Sequence, residues 1–336
     1  MPSTSQQPMT VIGAGSWGTA LAVQLARTGY PVRLWGRDAG QLQNMRRARR
    51  NDRYLPDAAF PPALEVAGDL RQALTGADDI LIVVPSHAFR ATLQVVEPHL
   101  SRNTRVAWAT KGFEISTGLL PHQVAAEILG ARPGAVVSGP TFANEVGAGL
   151  PTAMTVASGD AAFATALASR LSGPNFRAYT QTAIMGVEVG GAVKNVIAIG
   201  SGIADGMGFG ANTRVALITR GLAEMMRLGV KLGAARETFM GLAGLGDLVL
   251  TCTDDQSRNR RLGLALGRGR SMQEAQAGIG QVIEGVPASR AVCAVADRLS
   301  VEMPICREVY RVMHEGKPVR EAVQELMGRE MRSETE

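Results

Sequence analysis

Short apolar runs alternate with amphipathic stretches along the first half of the chain. Apolar runs of strand length lie at 10–15, 32–37, 79–86, 105–112, 135–140, 153–158 and 176–180. Between these runs, hydrophobic positions recur at helical spacing in the segments 17–28, 87–98, 119–130 and 161–172. Nearly continuous apolar strands that alternate with helices predict an α/β fold with a doubly wound, mostly parallel sheet.

The pattern changes after residue 182, where hydrophobic positions follow helical spacing and no convincing strand pattern remains. The clearest examples are the segments 182–206, 211–233 and 287–301. We therefore predict an all-α second domain, with domains at 1–185 and 186–336 and a soft boundary near 180–190. Because no Pro/Ser-rich linker separates the two halves, we expect a tight cleft between them rather than a flexible tether.

The motif GAGSWG, with Gly13, Gly15 and Gly18, follows the first apolar run and opens the first helical stretch. This context is typical of a Rossmann-type dinucleotide-binding domain, whose glycines allow a tight turn, a close pyrophosphate and helix–strand packing. The start of the helix also offers free backbone N–H groups to phosphates. The alternative is that the three glycines merely close a turn.

The end of the second apolar run bears on the choice between NAD and NADP. A site that prefers NAD usually has an acidic residue there, but in this chain Arg37 follows Gly36. An arginine can face a 2′-phosphate with two hydrogen bonds, and Asp38 is better explained as the cap of the next helix. We therefore expect NADPH or NADH as the cofactor, with NADP favoured.

Two polar segments follow later strands: WATKGFE, with Lys111, and SGPTFANE, with Gly139 and Thr141. In open α/β sheets, ligands bind at the carboxyl ends of the strands. Both segments are therefore expected where a nicotinamide and a substrate would meet. For Lys111 the alternative is an ordinary loop lysine in water.

Lys194 lies within an apolar helical run, VEVGGAVKNVIAIG. Its neighbours three and four residues away are small or apolar: Gly190, Gly191, Ile197 and Ala198. Such neighbours let another element approach and desolvate the amine, which lowers the pKa of a lysine toward the range useful for acid–base catalysis. The alternative is a lysine at the helix edge whose ammonium reaches solvent.

The segment GLGDLVLTCTDDQSRNRRLG carries one acid among glycines, Asp247, and then the basic and hydroxylic cluster Ser257, Arg258 and Asn259. A turn-capping aspartate followed by a solvated basic loop is one interpretation. An anion-binding site is the more specific hypothesis. We expect the next two basic residues, Arg260 and Arg261, to lie at the surface.

Long motifs in a fixed order cover nearly the whole chain. They are GAGSWGTALA, WATKGFE, SGPTFANEV, EVGGAVKNVIAIGSGIADG, NTRVALITRGL, GLAGLGDLVLTCTDDQSRNRRLG, VIEGV and MPIC. With these motifs the chain resembles bacterial NAD(P)-dependent glycerol-3-phosphate dehydrogenases. The resemblance implies reversible reduction of dihydroxyacetone phosphate to sn-glycerol 3-phosphate, which feeds phospholipid synthesis.

The resemblance also implies roles for individual residues, with Lys194 as the proton donor and acceptor. The residues matched to the family's substrate site are Lys111, Gly139, Thr141, Lys194, Asp247, Ser257, Arg258 and Asn259. Those matched to its cofactor contacts, in addition to the glycines, are Ser16, Trp17, Arg37, Tyr54, Lys111, Ala143, Arg258, Val282 and Glu284. The loop 52–62 departs from the family, because Asp57 stands where glycine is usual.

The chemistry of the same residues supports these roles. Arg258, Ser257 and Asn259 supply positive charge and directional hydrogen-bond donors for a phosphate. Asp247 supplies an acceptor for a substrate hydroxyl or for the Lys194 ammonium. We expect the GLG turn to bring this carboxylate close to the helix that carries Lys194, and we assign both residues to catalysis.

Composition limits the other functions. The net charge of +5 favours anionic ligands, but an aromatic content of 4% and dispersed basic residues count against nucleic acid. The basic run 46–53 is expected on a solvated helix face, with a contact at the cofactor edge as the alternative. Two rival functions remain: a related reductase of another small oxoacid, and a non-catalytic dinucleotide sensor or RNA-binding protein.

The remaining features concern location, metals and assembly. Cys252, Cys293 and Cys306 lack CxxC spacing and cannot all pair, which is typical of reduced cytoplasmic thiols, and Cys252 is expected as a buried thiol. The segment 1–10 lacks the features of a secretory signal. The sequence contains no run of about 18 uncharged apolar residues, so we predict no membrane span. The scattered histidines lack metal-ligand spacing, so we predict no metal site. A homodimer is compatible with this sequence.

Overall fold

The computed structural model describes residues 7–330 and 333, and one large sheet organises the first half of this range. The strands of the described residues are β1 (Met9–Ile12), β2 (Val32–Trp35), β3 (Arg50–Asn51), β4 (Leu55–Ala59), β5 (Leu64–Val66), β6 (Asp79–Ile82), β7 (Arg105–Trp108), β8 (Gly134–Ser138), β9 (Thr152–Ser158) and β10 (Phe176–Gln181). The large sheet has the order β10-β9-β8-β7-β6-β1-β2-β5, and β3 pairs with β4 separately. Neighbours in the large sheet run parallel, except that β8 and β9 run antiparallel. The predicted doubly wound, mostly parallel sheet is confirmed.

Helices cover both faces of the sheet and form the second half of the chain. They are α1 (Ser16–Arg27), α2 (Ala39–Ala48), α3 (Leu70–Leu74), α4 (Ser86–Val96), α5 (Pro121–Leu129), α6 (Ala143–Ala148), α7 (Ala161–Leu171), α8 (Ile184–Gly206), α9 (Ala211–Leu232), α10 (Asp247–Thr253), α11 (Arg258–Gly267), α12 (Met272–Ile279), α13 (Gly285–Arg298), α14 (Pro304–His314) and α15 (Val319–Met327). Short 3₁₀ segments lie at Glu97–His99 and Arg236–Met240, and a π-helical turn, Leu242–Gly246, leads directly into α10. Within the described residues no strand follows Gln181, so the prediction of an all-α second half is confirmed.

Strand β1 lies inside the large sheet, the third strand from the β5 edge, with β2 on one side and β6 on the other. The chain builds outward from β1 through β2 to β5, and then returns to β6 and builds in the opposite direction. The carboxyl ends of β1 and β6 therefore flank a topological switch point. Open α/β sheets bind their ligands in the crevice at such a point.

Three buried hydrophobic clusters hold the structure together. One joins a face of the sheet to α1, α2 and α7, and includes Leu21, Leu42 and Phe163. The second lies on the opposite face under α4 and α5, and it includes Phe89 and, from the first turn of α8, Val187. The third fills the helical half. Helix α8 therefore packs against the sheet at its start and within the helical core over the rest of its length.

Helix α8 is the central helix of the structure, 23 residues long and almost entirely buried. By length and composition it could cross a membrane, but 89% of the window that meets this test is buried inside the protein, as in a core helix. Helix α11 packs on it backbone to backbone: a Cβ added to Gly202 would lie 2.1 Å from the Arg260 carbonyl oxygen, and one added to Gly263 would lie 2.1 Å from the Ile199 carbonyl oxygen. The predicted boundary at 185/186 falls in the first turn of α8, and the division into two domains stays a prediction.

The hydrophobic pattern did not predict the short strands β3, β4 and β5. The loop prediction for 52–62 is wrong at Leu55–Ala59, which forms β4 and leaves Asp57 exposed. The side chain of Leu55 packs against Gly147 of α6, where an added Cβ would approach it to 2.9 Å. Because only two of the five residues of β4 are buried, its own pattern is too weak to predict the strand, which pairs with β3.

The basic run 46–53 is only partly helical. Helix α2 ends at Ala48, and Arg49 adopts a left-handed conformation with φ 52° before the chain enters β3. The arginines of the run are exposed, as expected, but Asn51 among them is fully buried. The structure does not describe residues 1–6, so the prediction about a secretory signal lies largely outside the described residues.

Candidate active site

The glycine-rich turn after β1 is closely packed on one side and open on the other. Gly13 has φ +119°, and a Cβ there would lie 2.1 Å from the Val83 carbonyl oxygen. A Cβ on Gly18 would lie 1.8 Å from the Gly13 carbonyl oxygen, so both positions exclude side chains. Beside Gly15, by contrast, no atom of the described residues lies within 4 Å of an added Cβ. The turn therefore leaves space in front of the first N–H groups of α1, as an approaching pyrophosphate requires.

The residues around this turn fit a bound dinucleotide. Gly15 is the N-cap of α1 and provides no side-chain cap, so the N–H groups of the first turn can donate to a ligand. The Nε1 of Trp17, in that first turn, is buried and has no hydrogen-bond partner among the described residues. A buried N–H of this kind normally has an acceptor, and a bound ligand at the turn would supply one. Ser16 lies between these two residues and is half-buried.

The residues that follow β2 lie beside the glycine-rich turn, since a Cβ added to Gly36 would lie 2.8 Å from the Ala14 Cβ. Asp38 caps α2, because its Oδ1 accepts a hydrogen bond of 2.9 Å from the Gln41 backbone N–H; this part of the prediction is confirmed. Arg37 is exposed. Tyr54, just before β4, carries the Arg53 guanidinium over its ring at 5.0 Å. Their roles in cofactor binding stay predictions.

The two polar segments lie at the carboxyl ends of β7 and β8, as expected. Lys111 follows β7 by three residues, and its side chain lies against Gly191 of α8, whose added Cβ would approach it to 3.3 Å. Gly139 follows β8 directly with φ +151°, and a Cβ there would lie 2.9 Å from the Met154 Cα. The Thr141 hydroxyl donates to the Gly139 carbonyl oxygen at 3.3 Å. A side chain at 139 would therefore disturb the strand end.

A carboxylate between two lysines is the centre of the site. Asp247 Oδ1 accepts a hydrogen bond from Lys194 Nζ at 2.5 Å, and its Oδ2 accepts one from Lys111 Nζ at 2.7 Å. Lys194 Nζ also lies 3.1 Å from the Thr251 hydroxyl oxygen. Asp247 and Lys194 are buried, with 1% and 7% of their surfaces exposed. The prediction that the GLG turn brings Asp247 close to Lys194 agrees with this geometry.

This arrangement changes the acid–base properties of its members. Burial lowers the pKa of Lys194 to about 8, and the neighbouring Lys111 ammonium lowers it as well, while Asp247 opposes the shift. Burial acts to raise the pKa of Asp247, but the two ammonium groups beside it hold that pKa below its ordinary value. Asp247 is therefore ionised, and Lys194 can either give or accept a proton near pH 8.

Close backbone packing at glycines positions Asp247. It is the first residue of α10, directly after the π-helical turn. A Cβ on Gly190 of α8 would lie 2.5 Å from the Ala243 carbonyl oxygen, and one on Gly244 would lie 2.2 Å from the Phe239 carbonyl oxygen. The turn thus lies directly on α8, one helical turn before Lys194. π-helical turns of this kind are frequent at functional sites.

The serine–arginine–asparagine cluster forms the start of α11. Ser257 caps the helix, with its hydroxyl accepting from the Arg260 backbone N–H at 3.2 Å. Asn259 Nδ2 donates to Asn195 Oδ1 at 2.9 Å, and its Oδ1 accepts from the Gly285 N–H at 2.8 Å. Arg258, between them, is half-buried, and its guanidinium has no hydrogen-bond or ion-pair partner in the described part of the chain. Helix α11 therefore brings an unpaired cation close to the helix of Lys194.

The prediction that Arg260 lies at the surface is wrong. It is buried, with 7% exposed, and forms ion pairs with Asp205 and Asp255, whereas Arg261 is exposed as expected. A run of basic residues in the sequence does not show which of the two is buried. Consecutive side chains of a helix point about 100° apart, so neighbours can lie on different faces. The packing of α11 on α8 decides which of them faces inward.

Glu188 links the helix of Lys194 to the sheet and was not identified from the sequence. Its Oε1 accepts from Trp108 Nε1 at 2.7 Å and from the His122 backbone N–H at 2.9 Å. Its Oε2 lies 2.5 Å from His122 Nδ1. These bonds join α8 to the end of β7, three residues before Lys111, and to the first turn of α5. An ionisable residue inside an apolar helix was the available signal, as it was for Lys194.

Two further residues of the site were also missed. Thr251 follows Asp247 by four residues, one helical turn, and its hydroxyl donates to the Asp247 carbonyl oxygen at 2.6 Å. Asn195 follows Lys194 and holds Asn259. Helical spacing from the two predicted catalytic residues could have identified Thr251. The partner of Asn195 lies 64 positions away, so no local pattern indicates it.

The remaining cofactor candidates lie at the starts of two helices. Ala143 begins α6, and Glu284 is the N-cap of α13. Val282, two residues before Glu284, is 55% exposed. These residues stay predicted cofactor contacts.

One cysteine, Cys252, directly follows Thr251 of the site. Cys252 is fully buried, and burial raises the pKa of its thiol to about 12, so the expectation of a buried thiol is confirmed. Among the described residues no group of three or more His, Cys, Asp or Glu side chains could hold a metal ion.

Comparison with known proteins assigns the family. Residues 8–164 match the model of the NAD-dependent glycerol-3-phosphate dehydrogenase N-terminus, and residues 183–324 match that of the C-terminus. The chain is 56% identical over 334 residues to a glycerol-3-phosphate dehydrogenase [NAD(P)+] of Serratia proteamaculans, covering 99% of this chain and 98% of that protein. The chain belongs to the NAD-dependent glycerol-3-phosphate dehydrogenase family. The resemblance found in the sequence is therefore confirmed.

Solved structures agree with this assignment. A glycerol-3-phosphate dehydrogenase of Coxiella burnetii has a TM-score of 0.93 and 50% identity, over 96% of this chain and 99% of that chain. A ketopantoate reductase of Ralstonia eutropha shares only 16% identity with a TM-score of 0.59, which shows a shared fold alone. The rival oxoacid reductases thus have the same general architecture, but the sequence assigns this chain to the glycerol-3-phosphate dehydrogenase family.

Proposed function

We propose that the protein catalyses the reversible reduction of dihydroxyacetone phosphate to sn-glycerol 3-phosphate, with Lys194 and Asp247 at the reaction centre. The buried lysine–aspartate–lysine arrangement, in a chain of this family, is the observation that supports the proposal. The product supplies the glycerol backbone of phospholipids. The direct test is turnover of dihydroxyacetone phosphate with NADPH and with NADH at catalytic protein concentration.

In this proposal Lys194 is the general acid and base. Protonated Lys194 gives a proton to the carbonyl oxygen during reduction, and neutral Lys194 takes the hydroxyl proton in the reverse direction. When bound, the reduced nicotinamide supplies the hydride that reduces the carbonyl carbon. A lysine pKa of about 8 suits both directions, because neither protonation state is rare near neutral pH.

Asp247, Lys111 and Thr251 hold the acid–base group in place. Asp247 accepts from both ammonium groups, so it fixes the Lys194 amine and balances one of two adjacent positive charges. Lys111 donates to Asp247 and lies at the strand end where we place the substrate and the nicotinamide. There it also supplies a positive charge close to the substrate oxygen. Thr251 contacts the Lys194 amine beside the carboxylate, because its hydroxyl oxygen lies 3.1 Å from Lys194 Nζ and 3.4 Å from Asp247 Oδ1.

The start of α11 is the proposed phosphate site. The Arg258 guanidinium is unpaired among the described residues, and it lies at the positive end of a helix of 10 residues. Ser257 and Asn259 shape this turn, while Gly139 and Thr141 face the substrate from the sheet side in our assignment. A guanidinium is suited to phosphate because it can donate two parallel hydrogen bonds.

Arg258→Ala is expected to lower kcat/KM for dihydroxyacetone phosphate by about tenfold or more, the equivalent of one charge-assisted hydrogen bond of roughly 1.5–3 kcal/mol. Turnover of unphosphorylated dihydroxyacetone should hardly change. Steady-state kinetics with both substrates measures the difference, and NADPH binding is measured separately. Arg261→Ala, an exposed arginine on the same helix, is the control. Equal losses with both substrates and intact cofactor binding would contradict the phosphate assignment.

The dinucleotide site is proposed at the glycine-rich turn and the cleft beside it. The turn residues hold the pyrophosphate, and Trp17 Nε1 gains the acceptor it lacks in the described structure. The full set proposed to hold the cofactor is Gly13, Gly15, Ser16, Trp17, Gly18, Arg37, Tyr54, Lys111, Ala143, Arg258, Val282 and Glu284.

Arg37→Ala is expected to raise KM for NADPH by about tenfold and to leave KM for NADH nearly unchanged, because only NADPH has a 2′-phosphate for the guanidinium to pair with. Arg71→Ala, an exposed arginine on α3, is the control. Kinetics with both cofactors at saturating substrate gives the result. If KM rises equally for both cofactors, Arg37 does not contact the 2′-phosphate.

The proposed location is the cytoplasm, which is supported by three free, buried cysteines. The rival sensor or RNA-binding function predicts cofactor binding without turnover, so the turnover assay also separates these functions. A homodimer is the proposed assembly, to be checked by light scattering of the purified protein.

A further inference from the structure

Arg260 has a buried guanidinium that acid–base catalysis does not use. Its Nε donates to Asp255 Oδ1 at 2.9 Å, and one terminal nitrogen pairs with Asp205 and donates to the Cys252 carbonyl oxygen at 3.3 Å. Asp205 lies in the last turn of α8, Cys252 in α10, and Asp255 in the connection between α10 and α11. One guanidinium therefore ties together three separate segments.

One of these segments is the turn from which α11 starts, and the other two, the end of α8 and α10, lie beside it. The backbone of Arg260 lies directly on α8, since a Cβ on Gly202 would meet the Arg260 carbonyl oxygen at 2.1 Å. Ser257 caps the helix on one side of Arg258, and Asn259 bonds to Asn195 on the other. The position of Arg258 relative to Lys194 is thus set by how the first turn of α11 docks on α8. The hydrogen bonds of the buried Arg260 guanidinium hold this turn of α11 against α8 and α10.

We propose that Arg260 is a positioning residue that holds the first turn of α11 so that Arg258 receives the substrate phosphate at a fixed distance from Lys194. The inference rests on the proposed function. We assign no substrate contact to Arg260 itself, because it is buried and its Nε and one terminal nitrogen pair with the Asp205, Asp255 and Cys252 oxygens. It determines the specificity for a phosphorylated substrate through the placement of Arg258.

A lysine cannot replace this arginine. A lysine ammonium keeps the positive charge opposite Asp205. It lies at the end of a flexible side chain, however, and lacks the planar guanidinium whose separate N–H groups reach several acceptors at once. If Arg260 acts by positioning, Arg260→Lys should raise KM for dihydroxyacetone phosphate nearly as much as Arg260→Met. If Arg260 acts only through its positive charge near the phosphate, Arg260→Lys should behave like the wild type.

The test compares both variants with dihydroxyacetone phosphate and with unphosphorylated dihydroxyacetone. In each variant KM for dihydroxyacetone phosphate is expected to rise about tenfold, since small displacements of a binding group cost this much or more. We expect kcat to stay within about threefold of wild type, and turnover of dihydroxyacetone to stay unchanged, because Lys194 and Asp247 keep their contacts.

Two neighbouring arginines provide matched controls. Arg214 pairs with the same Asp205 from α9, with its Nε 2.9 Å from the carboxylate, but among the described residues it forms no hydrogen bond or ion pair with the turn before α11. Arg261 is the adjacent, exposed cation on α11. Arg214→Ala and Arg261→Ala are both expected to keep the wild-type KM for dihydroxyacetone phosphate.

Arg258→Ala, measured in parallel, separates the two hypotheses. If it retains the preference for the phosphorylated substrate, the proposed phosphate site itself is wrong. If Arg258→Ala loses that preference while Arg260→Lys keeps it, only the positioning role is overturned. Equal losses with both substrates in Arg260→Lys would also overturn it, because they indicate general damage to the reaction centre. Should Arg260→Met not fold, Arg260→Lys, which retains a cation opposite Asp205, decides the question.

Discussion

Lys194→Met is expected to lower kcat for dihydroxyacetone phosphate reduction by about 10²-fold or more, the usual contribution of a general acid. Methionine keeps the length and apolar character of the side chain in a site where only 7% of the lysine is exposed, so the helix should remain packed. The variant should still bind NADPH, because the glycine-rich turn is untouched. Steady-state kinetics and cofactor fluorescence titration measure the two effects separately.

The wild-type pH profile gives an independent check on the same residue. Reduction needs protonated Lys194, so its rate should fall as the pH rises through about 8. Oxidation of glycerol 3-phosphate needs the neutral amine, so its rate should fall as the pH drops through about 8. Lys231→Met, at an exposed lysine near the end of α9, is the control and should match the wild type. Near-normal turnover of Lys194→Met at every pH would show that another group transfers the proton.

Asp247→Asn is expected to lower kcat for reduction by about 10²-fold and to move the falling limb of its pH profile toward lower pH. The carboxylate raises the pKa of Lys194, whereas burial and the Lys111 ammonium lower it. Without the negative charge, two ammonium groups lie side by side in a buried site, and the Lys194 amine loses its proton more readily. The pH dependence of kcat in the variant is the decisive measurement.

Asp79 provides a matched control for this substitution. It is also a fully buried carboxylate between two cations, with Arg105 and Arg170 each 2.6 Å from one of its oxygens, but it lies at the opposite end of the strands. Removing one partner of a buried ion pair costs about 3–5 kcal/mol, so Asp79→Asn and Asp247→Asn should both lower Tm. Only Asp247→Asn should shift the pH profile. If Asp247→Asn keeps the wild-type pH profile, Asp247 does not adjust the pKa of Lys194.

The sequence by itself determined those features that local physical chemistry controls. The alternation of apolar runs and helical stretches predicts the parallel sheet, because strands buried on both faces must be apolar. The spacing of Gly13, Gly15 and Gly18 predicts the turn. At Gly13 and Gly18 only glycine fits, because a Cβ would lie about 2 Å from a carbonyl oxygen, whereas Gly15 leaves its side of the turn open. Lys194 could also be identified, because an ionisable group inside an apolar helix requires a partner.

Only the tertiary structure decided which distant residues meet. Lys111 and Asp247 are 136 positions apart, and Trp108 and Glu188 are 80 positions apart, so no local pattern relates them. The strand β4 pairs with β3 and packs through Leu55 against Gly147, and its own five residues are too weakly patterned to predict it.

The basic cluster at the start of α11 shows the same limit within four residues. Arg258, Arg260 and Arg261 are chemically identical in the sequence, yet one is unpaired among the described residues, one is buried in ion pairs and one is exposed. Each residue of a helix points about 100° away from the last, so the face that α11 turns toward α8 assigns the three environments. That face is set by backbone contact at Gly202 and Gly263, which forms only when the two helices pack together.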